Sequence, residues 1–179
     1  ALLDQISQET FQFTANRSIQ TTVSLIKHPS NFGKGKAVRT GIDHSTGDIV
    51  LIQDADMEYS PVDYPALINP IGKQIADAVI GSRFTGPCRR VLYFWHSLVN
   101  RILTFICNAL NDVNLTDFAS GYKVIRGHIA RNLNLTSNRF GIEPDIISRL
   151  AKARLRIYEV PISYTGRSYQ QGKKIGTKD

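Results

Sequence analysis

Cysteine is scarce in this sequence: Cys88 and Cys107 are the only two among 179 residues. They form no C-x-x-C pair and no dense framework, so neither a structural zinc site nor a disulfide scaffold is indicated. No uncharged apolar run reaches the ~20 residues that span a bilayer, and no signal peptide opens the sequence. These features predict a cytoplasmic protein.

Long blocks of one charge are also lacking. Lysine and arginine number 22 against 15 acidic residues, which gives a formal charge of +7 without any basic run typical of a nucleic-acid tail. This charge suits nucleotides, phosphates or acidic lipid surfaces, whereas nucleic acid is suggested by charge alone. The length and the 42% hydrophobic fraction predict one globular domain over residues 1–179.

Apolar runs alternate with helical patterns through most of the chain. This order predicts an α/β fold in which a mostly parallel sheet is covered by flanking helices. The predicted strands are 21–26, 48–53, 76–80, 122–125 and 156–164. The predicted helices are 1–16, 34–44, 61–71, 91–110 and 140–152. Ser60 and Pro61 are typical of a helix start, and Pro161 indicates that the last strand lies at an edge or contains a bulge.

Polar motifs follow three of the predicted strands. They are the glycine-lysine loop 31–36, the pair Asp54 and Asp56, and the segment that ends in Arg83. The carboxyl ends of parallel strands meet at one edge, where open α/β sheets bind their ligands. Two carboxylates suit Mg²⁺ or Mn²⁺ shared with a phosphate, although D-x-D alone is also common in solvated turns. Together the three motifs describe a diphosphate site.

The helix at 91–110 carries an apolar stripe that includes Trp95, Ile102 and Phe105, with Asn100 and Asn108 on the opposite side. Such a helix most often packs its stripe on the core. A membrane interface is the alternative, because aromatic residues 93–95 follow two arginines. The tail after Gly166 is basic and contains further glycines. Two interpretations stay open for it, a disordered end or a flap that binds phosphate.

Eight motifs carry a resemblance to a known family. They are N-F-G-K-G-K-A-V-R-T-G (31–41), G-D-I-V-L-I-Q-D-A-D-M-E-Y-S-P (47–61), G-S-R-F (81–84), F-W-H-S-L-V-N-R (94–101), N-L-T-D (114–117), G-Y-K-V-I-R (121–126), R-F-G-I-E-P (139–144) and E-V-P-I-S-Y-T-G-R-S-Y-Q-Q-G-K-K-I-G (159–176). From about Thr22 onwards the chain resembles family 2 glycosyltransferases with the GT-A fold. Within them it is similar to the polyprenyl-phosphate sugar transferases, of which dolichyl-phosphate mannose synthase is typical.

The resemblance implies a metal-dependent inverting transfer of a sugar of the mannose or glucose class. The donor would be a nucleotide-sugar such as GDP-mannose or UDP-glucose, and the acceptor a polyprenyl or dolichyl phosphate at the cytoplasmic face of a membrane. The implied metal ligands are Asp54, Asp56 and Glu58; the implied catalytic residues are Asp117, Arg83 and Arg167; the residues expected to bind the donor phosphates are Lys34, Lys36, Arg39, Lys173 and Lys174.

The sequence departs from the family at its beginning. Family members open with two strands that carry P-x-Y-N-E-type and D-D-G-S-type motifs and hold the nucleotide, and nothing before Thr22 matches either motif. The chain is therefore expected to be an N-terminally truncated GT-A domain that lacks its first two strands. Two alternatives stay open: a sugar-phosphate nucleotidyltransferase, or a GT-A-like binding module without turnover.

Overall fold

The computed structural model describes residues 22–86 and 93–166. The chain divides into two units, Ala1–Phe32 and Gly33–Asp179. The predicted helix at 1–16 lies outside the described residues. In the first unit residues 22–28 have no regular secondary structure, so the predicted strand at 21–26 is wrong over its described part. Val23 and Ile26 favour a strand by propensity, but both are more than 40% exposed, and propensity alone does not supply a ladder partner.

The described part of the second unit contains five helices, a 3₁₀ turn and four strands. In chain order they are α1 (Lys34–Asp43), β1 (Ile49–Ile52), the 3₁₀ turn (Pro61–Asp63), α2 (Tyr64–Gly72), β2 (Ala78–Ser82), α3 (Phe94–Asn111), β3 (Lys123–Arg126), α4 (Gly127–Asn132), α5 (Ile142–Lys152) and β4 (Ile157–Pro161). The sequence predicts all of them except α4, with ends that differ by a few residues. The hydroxyl of Ser60 accepts a hydrogen bond from the Val62 N–H, so this predicted helix start is confirmed.

The four strands form one sheet in the order β1-β3-β2-β4. β2 pairs with β4 in parallel, whereas β3 pairs antiparallel with both β1 and β2. β1, β2 and β4 therefore run in one direction, as expected of a mostly parallel sheet, and β3 is the exception between β1 and β2. Its reversed direction brings the residues before β3 to the edge where β1 and β2 end.

Alternate residues of the central strands face two separate cores. Ala78 of β2 and Ile125 of β3 pack with α1, α4 and α5, while Val79 and Val124 pack with α2 on the other side. This alternation follows from the two-residue period of a strand. The sheet is thus covered by helices on both faces, which is the α/β arrangement that the sequence predicts.

β4 lies at one end of the sheet as described, and it is bonded to β2 alone. Pro161 is its last residue and pairs with Ser82. Proline cannot donate a ladder hydrogen bond, so a place at a sheet edge is compatible with its chemistry. The edge assignment from the sequence is confirmed.

α3 exposes large apolar side chains and turns part of its polar side towards the protein. Thr104 and Cys107 are its buried residues, whereas Trp95, Phe105 and Leu110 are 72–79% exposed. The prediction that the apolar stripe packs on the core is therefore wrong for Trp95 and Phe105, which belong to that stripe. The polar side faces the protein because it has partners there: Asn108 Nδ2 donates to the carbonyl of Leu115 at 2.7 Å.

None of the helices in the described ranges is long and apolar enough to cross a membrane.

Replacement of Leu67 by alanine tests this fold. Leu67 is completely buried in the α2 core, so Leu67→Ala is expected to lower the free energy of unfolding by about 2–5 kcal/mol. Leu110→Ala is the matched control: the same atoms are removed from an exposed helix position, and the change should stay within about 0.5 kcal/mol. Urea unfolding of both variants measures the difference. Equal losses would show that α3 is not oriented as described.

Candidate metal and diphosphate site

Polar side chains gather at the edge of the sheet where β1 and β2 end. Asp54 and Asp56 follow β1, and Arg83 follows β2. The loop before β3 reaches the same edge and places Gly121 against Asp54. A Cβ on Gly121 would lie 2.5 Å from Asp54 Oδ2, so only glycine permits this approach without a shift of the carboxylate.

The carboxylates after β1 do not all face one point. The Oδ1 atom of Asp56 accepts a hydrogen bond from the Glu58 N–H at 3.2 Å, while the Glu58 carboxylate accepts from the Tyr164 hydroxyl at 2.8 Å. Within residues 22–86 and 93–166, no three Asp, Glu, His or Cys side chains come together as a metal cluster. The structure therefore does not bring Glu58 into a three-carboxylate site with Asp54 and Asp56.

A divalent cation nevertheless fits Asp54 and Asp56 by the chemistry of the donor set. Mg²⁺ in particular is commonly held by one or two carboxylates together with substrate phosphates, rather than by a full protein cage. The backbone also turns sharply here, since Met57 adopts φ 60° and is 90% exposed. Because no three-carboxylate cluster forms among the described residues, Asp54 and Asp56 are the candidate ligands.

A chain of alternating charges runs inward from Asp54. Lys34 Nζ contacts Asp54 Oδ1 at 2.7 Å and Oδ2 at 2.9 Å, and it contacts Glu143 Oε1 at 2.6 Å. The other oxygen of Glu143 lies 2.5 Å from Lys123 Nζ, which also donates to the carbonyl of Ser120 at 2.5 Å. Lys123 is completely buried, so its ammonium depends on these two partners.

The pKa values of Glu143 and Lys34 favour their charged forms. Burial by itself would raise the pKa of Glu143, but the ammonium groups of Lys123 and Lys34 outweigh it and lower that pKa. Burial would likewise lower the pKa of Lys34, whereas the carboxylates of Glu143 and Asp54 raise it above the ordinary lysine value. Glu143 and Lys34 therefore form an ion pair at neutral pH.

Arg83 and Asp117 form the second polar group of the site. Arg83 Nε donates to Asp117 Oδ2 at 2.7 Å and Nη2 donates to Oδ1 at 2.8 Å, while the Arg83 N–H adds a third bond at 3.1 Å. Asn100 of α3 also donates to Oδ1 at 3.4 Å. Asp117 is completely buried and both of its oxygens are engaged, so it is placed to orient Arg83. Burial opposes the charge of Arg83, but Asp117 raises its pKa.

Glu159 of β4 fixes the backbone on which Asp117 stands. Its carboxylate accepts hydrogen bonds of 2.9–3.0 Å from the Thr116 N–H and hydroxyl and from the Asp117 N–H. Burial is the largest influence on Glu159 and raises the pKa of its carboxyl. The Ser82 hydroxyl lies 2.6 Å from that of Thr116, which links this loop to the end of β2.

An aromatic ring closes the site on the β4 side. The guanidinium carbon of Arg83 lies 5.2 Å from the centre of the Tyr164 ring, within the range of a cation–π contact. Tyr164 also bonds Glu58 through its hydroxyl, and Tyr59 and Tyr164 form an antiparallel bridge. One tyrosine thus contacts both the loop after β1 and the arginine after β2.

The remaining predicted phosphate-binding residues fall in two places. Arg39 Nη1 donates to the Thr136 carbonyl and to Asn138 Oδ1, which ties α1 to the loop before α5. Lys36 lies on the same helix, and its N–H donates to the Asn138 carbonyl. The roles predicted for their side chains remain predictions. Arg167, Lys173 and Lys174, with the flap that they would form, lie outside the described residues.

Several side chains that shape the site lie within the family motifs but are assigned no role from the sequence. The roles of Lys123, Glu159 and Tyr164 follow from their contacts. One signal is present in the sequence: Lys123 stands among the apolar residues of the predicted strand 122–125, and a lysine at such a position needs a buried counter-charge. Glu143 supplies it from the first turn of α5, 20 residues later in the sequence.

The sequence and the fold both match known glycosyltransferases. The Glycosyl transferase family 2 profile matches residues 7–133, which begins upstream of the motifs described above. Glucosyl-3-phosphoglycerate synthase of Mycobacterium tuberculosis, solved with Mn²⁺, UDP and glucosyl-3-phosphoglycerate, aligns with a TM-score of 0.56 at 18% identity, over 77% of this chain and 49% of that chain. Together with the family match, this structural similarity defines a GT-A fold.

The curated relatives that the sequence matches are glycosyltransferases as well. The chain is 32% identical to glycosyltransferase AglJ of Haloferax volcanii over 75% of this chain and 45% of AglJ. It is 31% identical to undecaprenyl-phosphate mannosyltransferase of Micrococcus luteus, over 72% of this chain and 54% of that protein. It is 30% identical to UDP-N-acetylglucosamine–dolichyl-phosphate N-acetylglucosaminyltransferase of Methanococcus voltae, over 86% of this chain and 64% of that protein.

The chain therefore belongs to glycosyltransferase family 2, and the resemblance drawn from its motifs is confirmed. It spans about half the length of the first curated relatives that it matches.

The buried charge chain makes stability depend on pH. Glu143→Gln leaves Lys123 without its counter-charge and is expected to cost about 3–5 kcal/mol of unfolding free energy at pH 7. The pKa of Glu143 is lowered by folding, so its contribution is complete above the ordinary value of 4.5 and is lost as pH falls through the folded value. Urea unfolding from pH 7 to pH 3 measures the difference between the two proteins.

Asp43→Asn serves as the control, since this exposed carboxylate lies at the end of α1 and should change stability by about 0.5 kcal/mol at most. A deficit of Glu143→Gln that is the same at pH 3 and pH 7 would contradict the charge chain.

Proposed function

We propose that this protein is a metal-dependent inverting glycosyltransferase that moves a hexose from a nucleotide-sugar to a polyprenyl phosphate. The donor is of the GDP-mannose or UDP-glucose type. The observation that carries the proposal is the placement of Asp54, Asp56 and Arg83 at one edge of the sheet. Two anionic ligands for a cation beside a fixed guanidinium suit a diphosphate. The names of the polyprenyl-phosphate relatives support the lipid acceptor.

In the proposed reaction an oxygen of the acceptor phosphate attacks the anomeric carbon of the sugar. The bond from that carbon to the donor diphosphate breaks, and the diphosphate leaves with the electron pair. A Mg²⁺ or Mn²⁺ ion held with the diphosphate would neutralise part of the charge that develops there. Arg83 donates hydrogen bonds to the leaving group, and Asp117 and Tyr164 hold its guanidinium in place.

The engagement of Asp117 supports a phosphate acceptor over a hydroxyl acceptor. A hydroxyl needs a general base, and such a base must reach the proton that it removes. Asp117 is completely buried and receives hydrogen bonds from Arg83 on both oxygens, so it is poorly placed for that role. A phosphate is already ionised near neutral pH and needs no base. Asp117 therefore acts in this proposal as a positioning residue, not as the proton acceptor.

Substitution of the two aspartates tests the proposed metal site. The protein is incubated with Mn²⁺, undecaprenyl phosphate and radiolabelled GDP-mannose or UDP-glucose. We expect a lipid-linked sugar, with at least about a hundredfold less in Asp54→Asn and Asp56→Asn because a charged ligand is lost. Calorimetry should show that the Mn²⁺-dependent affinity for GDP or UDP falls in the same variants, while Asp43→Asn retains it.

Unchanged nucleotide affinity in Asp54→Asn and Asp56→Asn would refute the assignment of these ligands. Incubation with a nucleoside triphosphate and a sugar phosphate separates the other enzyme class, since release of pyrophosphate would indicate a nucleotidyltransferase. Nucleotide-sugar binding without either product would indicate a binding module.

We further propose that the exposed apolar side of α3 lies on the surface of an anionic membrane at its cytoplasmic face. Phe105 and Leu110 would enter the lipid boundary while the net positive charge of the chain attracts the acidic headgroups. The same helix reaches the catalytic edge, because Asn100 donates to Asp117. A bilayer beneath α3 would therefore bring the phosphate of a membrane-embedded acceptor towards Arg83.

Trp95 reports on this contact because it is the only tryptophan in the sequence and is 72% exposed. Anionic vesicles are expected to shift its fluorescence to the blue and to carry the protein upward in flotation. Phe105→Ser with Leu110→Ser should weaken binding at least about tenfold, since each buried side chain of this size contributes about 1.5–3 kcal/mol. Val62→Ser, at another exposed apolar position, is the control. Absence of both flotation and a blue shift would exclude the membrane contact.

A further inference from the structure

Lys34 occupies the carboxylate to which the proposed function assigns a metal. Its ammonium contacts both oxygens of Asp54, at 2.7 and 2.9 Å. Mg²⁺ binds oxygen ligands at about 2.0–2.1 Å and would use these same atoms. Two cations on one small carboxylate repel each other, so the ammonium and the metal compete for Asp54.

Glu143 gives Lys34 a second anionic partner. Its Oε1 lies 2.6 Å from Lys34 Nζ, and its Oε2 is held by the buried Lys123. Because Glu143 remains as a counter-charge, the Lys34 ammonium can leave Asp54 without becoming an unpaired charge. An ammonium on a four-carbon stem with rotatable bonds is suited to such a movement, whereas the fixed fork of arginine is not.

The backbone next to Lys34 packs closely on the loop before α5. Gly35 packs so closely on the loop before α5 that a Cβ there would lie 2.4 Å from the Ser137 carbonyl oxygen. The Lys36 N–H also donates to the Asn138 carbonyl at 3.0 Å. Movement of the ammonium between Asp54 and Glu143 therefore requires rotation of the side chain and not displacement of α1.

We propose that Lys34 is a displaceable counter-ion of the metal site. Before a cation binds, Lys34 neutralises Asp54 and holds its carboxylate in place. A divalent cation then displaces the ammonium from Asp54, and Glu143 retains it beside the site. Lys34 in this role sets the affinity of the protein for the cation, and Glu143 is the positioning residue that makes the exchange possible. The inference rests on the proposed function in one respect, the assignment of Asp54 to the metal.

Direct titration with Mn²⁺ in the absence of any nucleotide tests the displacement. Free Mn²⁺ is followed by electron paramagnetic resonance in the wild-type protein, Lys34→Met and Lys36→Met. Lys34→Met removes the competitor and is expected to bind Mn²⁺ about tenfold more tightly, as befits loss of a charged hydrogen-bonded partner. Lys36→Met removes the same charge from the same turn of α1 and should change the affinity about threefold at most, because the ion pair described for Asp54 is made by Lys34 and not by Lys36.

Equal effects of the two substitutions on Mn²⁺ affinity would overturn the proposal, since they would reflect only the loss of one positive charge near the site. Asp54→Asn in the Lys34→Met background should abolish the gain, and persistence of the gain would also overturn it. If neither wild type nor Lys34→Met binds Mn²⁺, the metal assignment itself fails and the counter-ion role fails with it. If wild type and Lys34→Met bind equally and Asp54→Asn binds worse, the metal site stands and only the counter-ion role is wrong.

A measurement on the unsubstituted side chain covers the case in which Lys34→Met does not fold. The lysines are ¹³C-methylated by reductive alkylation, and the resonance of Lys34 is assigned by its absence in Lys34→Arg. Addition of Mg²⁺ is expected to shift this resonance and leave that of Lys36 in place. A Lys34 resonance that does not respond to saturating Mg²⁺ would overturn the proposal.

Discussion

A completely buried lysine governs the architecture of this site. Lys123 begins β3 between two neighbouring strands, and its ammonium needs a counter-charge that water cannot replace. Glu143 provides that charge from the first turn of α5, and its second oxygen fixes Lys34 at the start of α1. The chain of charges ends on Asp54 at the tip of β1. Sheet, two helices and candidate metal ligand are thus joined by one set of ion pairs.

The reversed direction of β3 gives the site its second half. An all-parallel sheet would place the residues before β3 at the far edge, away from Asp54 and Arg83. The antiparallel pairing instead returns Asp117 and Gly121 to the edge where β1 and β2 end. Asp117 then orients the arginine, and Gly121 permits close packing on the Asp54 carboxylate. Glu159 secures this loop from β4, so all four strands contribute to the edge.

The sequence was sufficient to predict most of the elements and the family. Strands and helices with strong apolar periodicity, such as β2 and α5, and the turn at Ser60 follow from local chemistry that the structure bears out. The reversal of β3 does not follow from local chemistry, because strand direction depends on connections and pairing partners. For α3 the sequence left two orientations open, with the apolar stripe either on the core or exposed. Its polar residues face the protein to bond Leu115 and Asp117, and no periodicity reveals such partners.

The site residues likewise fall into two groups, those that sequence motifs identify and those that only the fold identifies. Motifs identify side chains whose roles depend on type and spacing, which is why Asp54, Asp56 and Arg83 could be named before the fold was known. Lys123 and Tyr164 act through neighbours distant in the chain, and only the fold shows them. In the structure the Asp117 carboxylate is bonded to Arg83 and the Glu58 carboxylate to Tyr164, and the catalytic and metal-binding roles expected of Asp117 and Glu58 remain predictions.

A crystal structure with Mn²⁺ and a nucleoside diphosphate tests the proposed metal and diphosphate site, because anomalous scattering locates the cation without reference to the protein chain. We expect one Mn²⁺ bound by oxygens of Asp54 and Asp56, with the diphosphate between the cation and the guanidinium of Arg83. A Mn²⁺ ion bound elsewhere, or a diphosphate that contacts neither the cation nor Arg83, would contradict it.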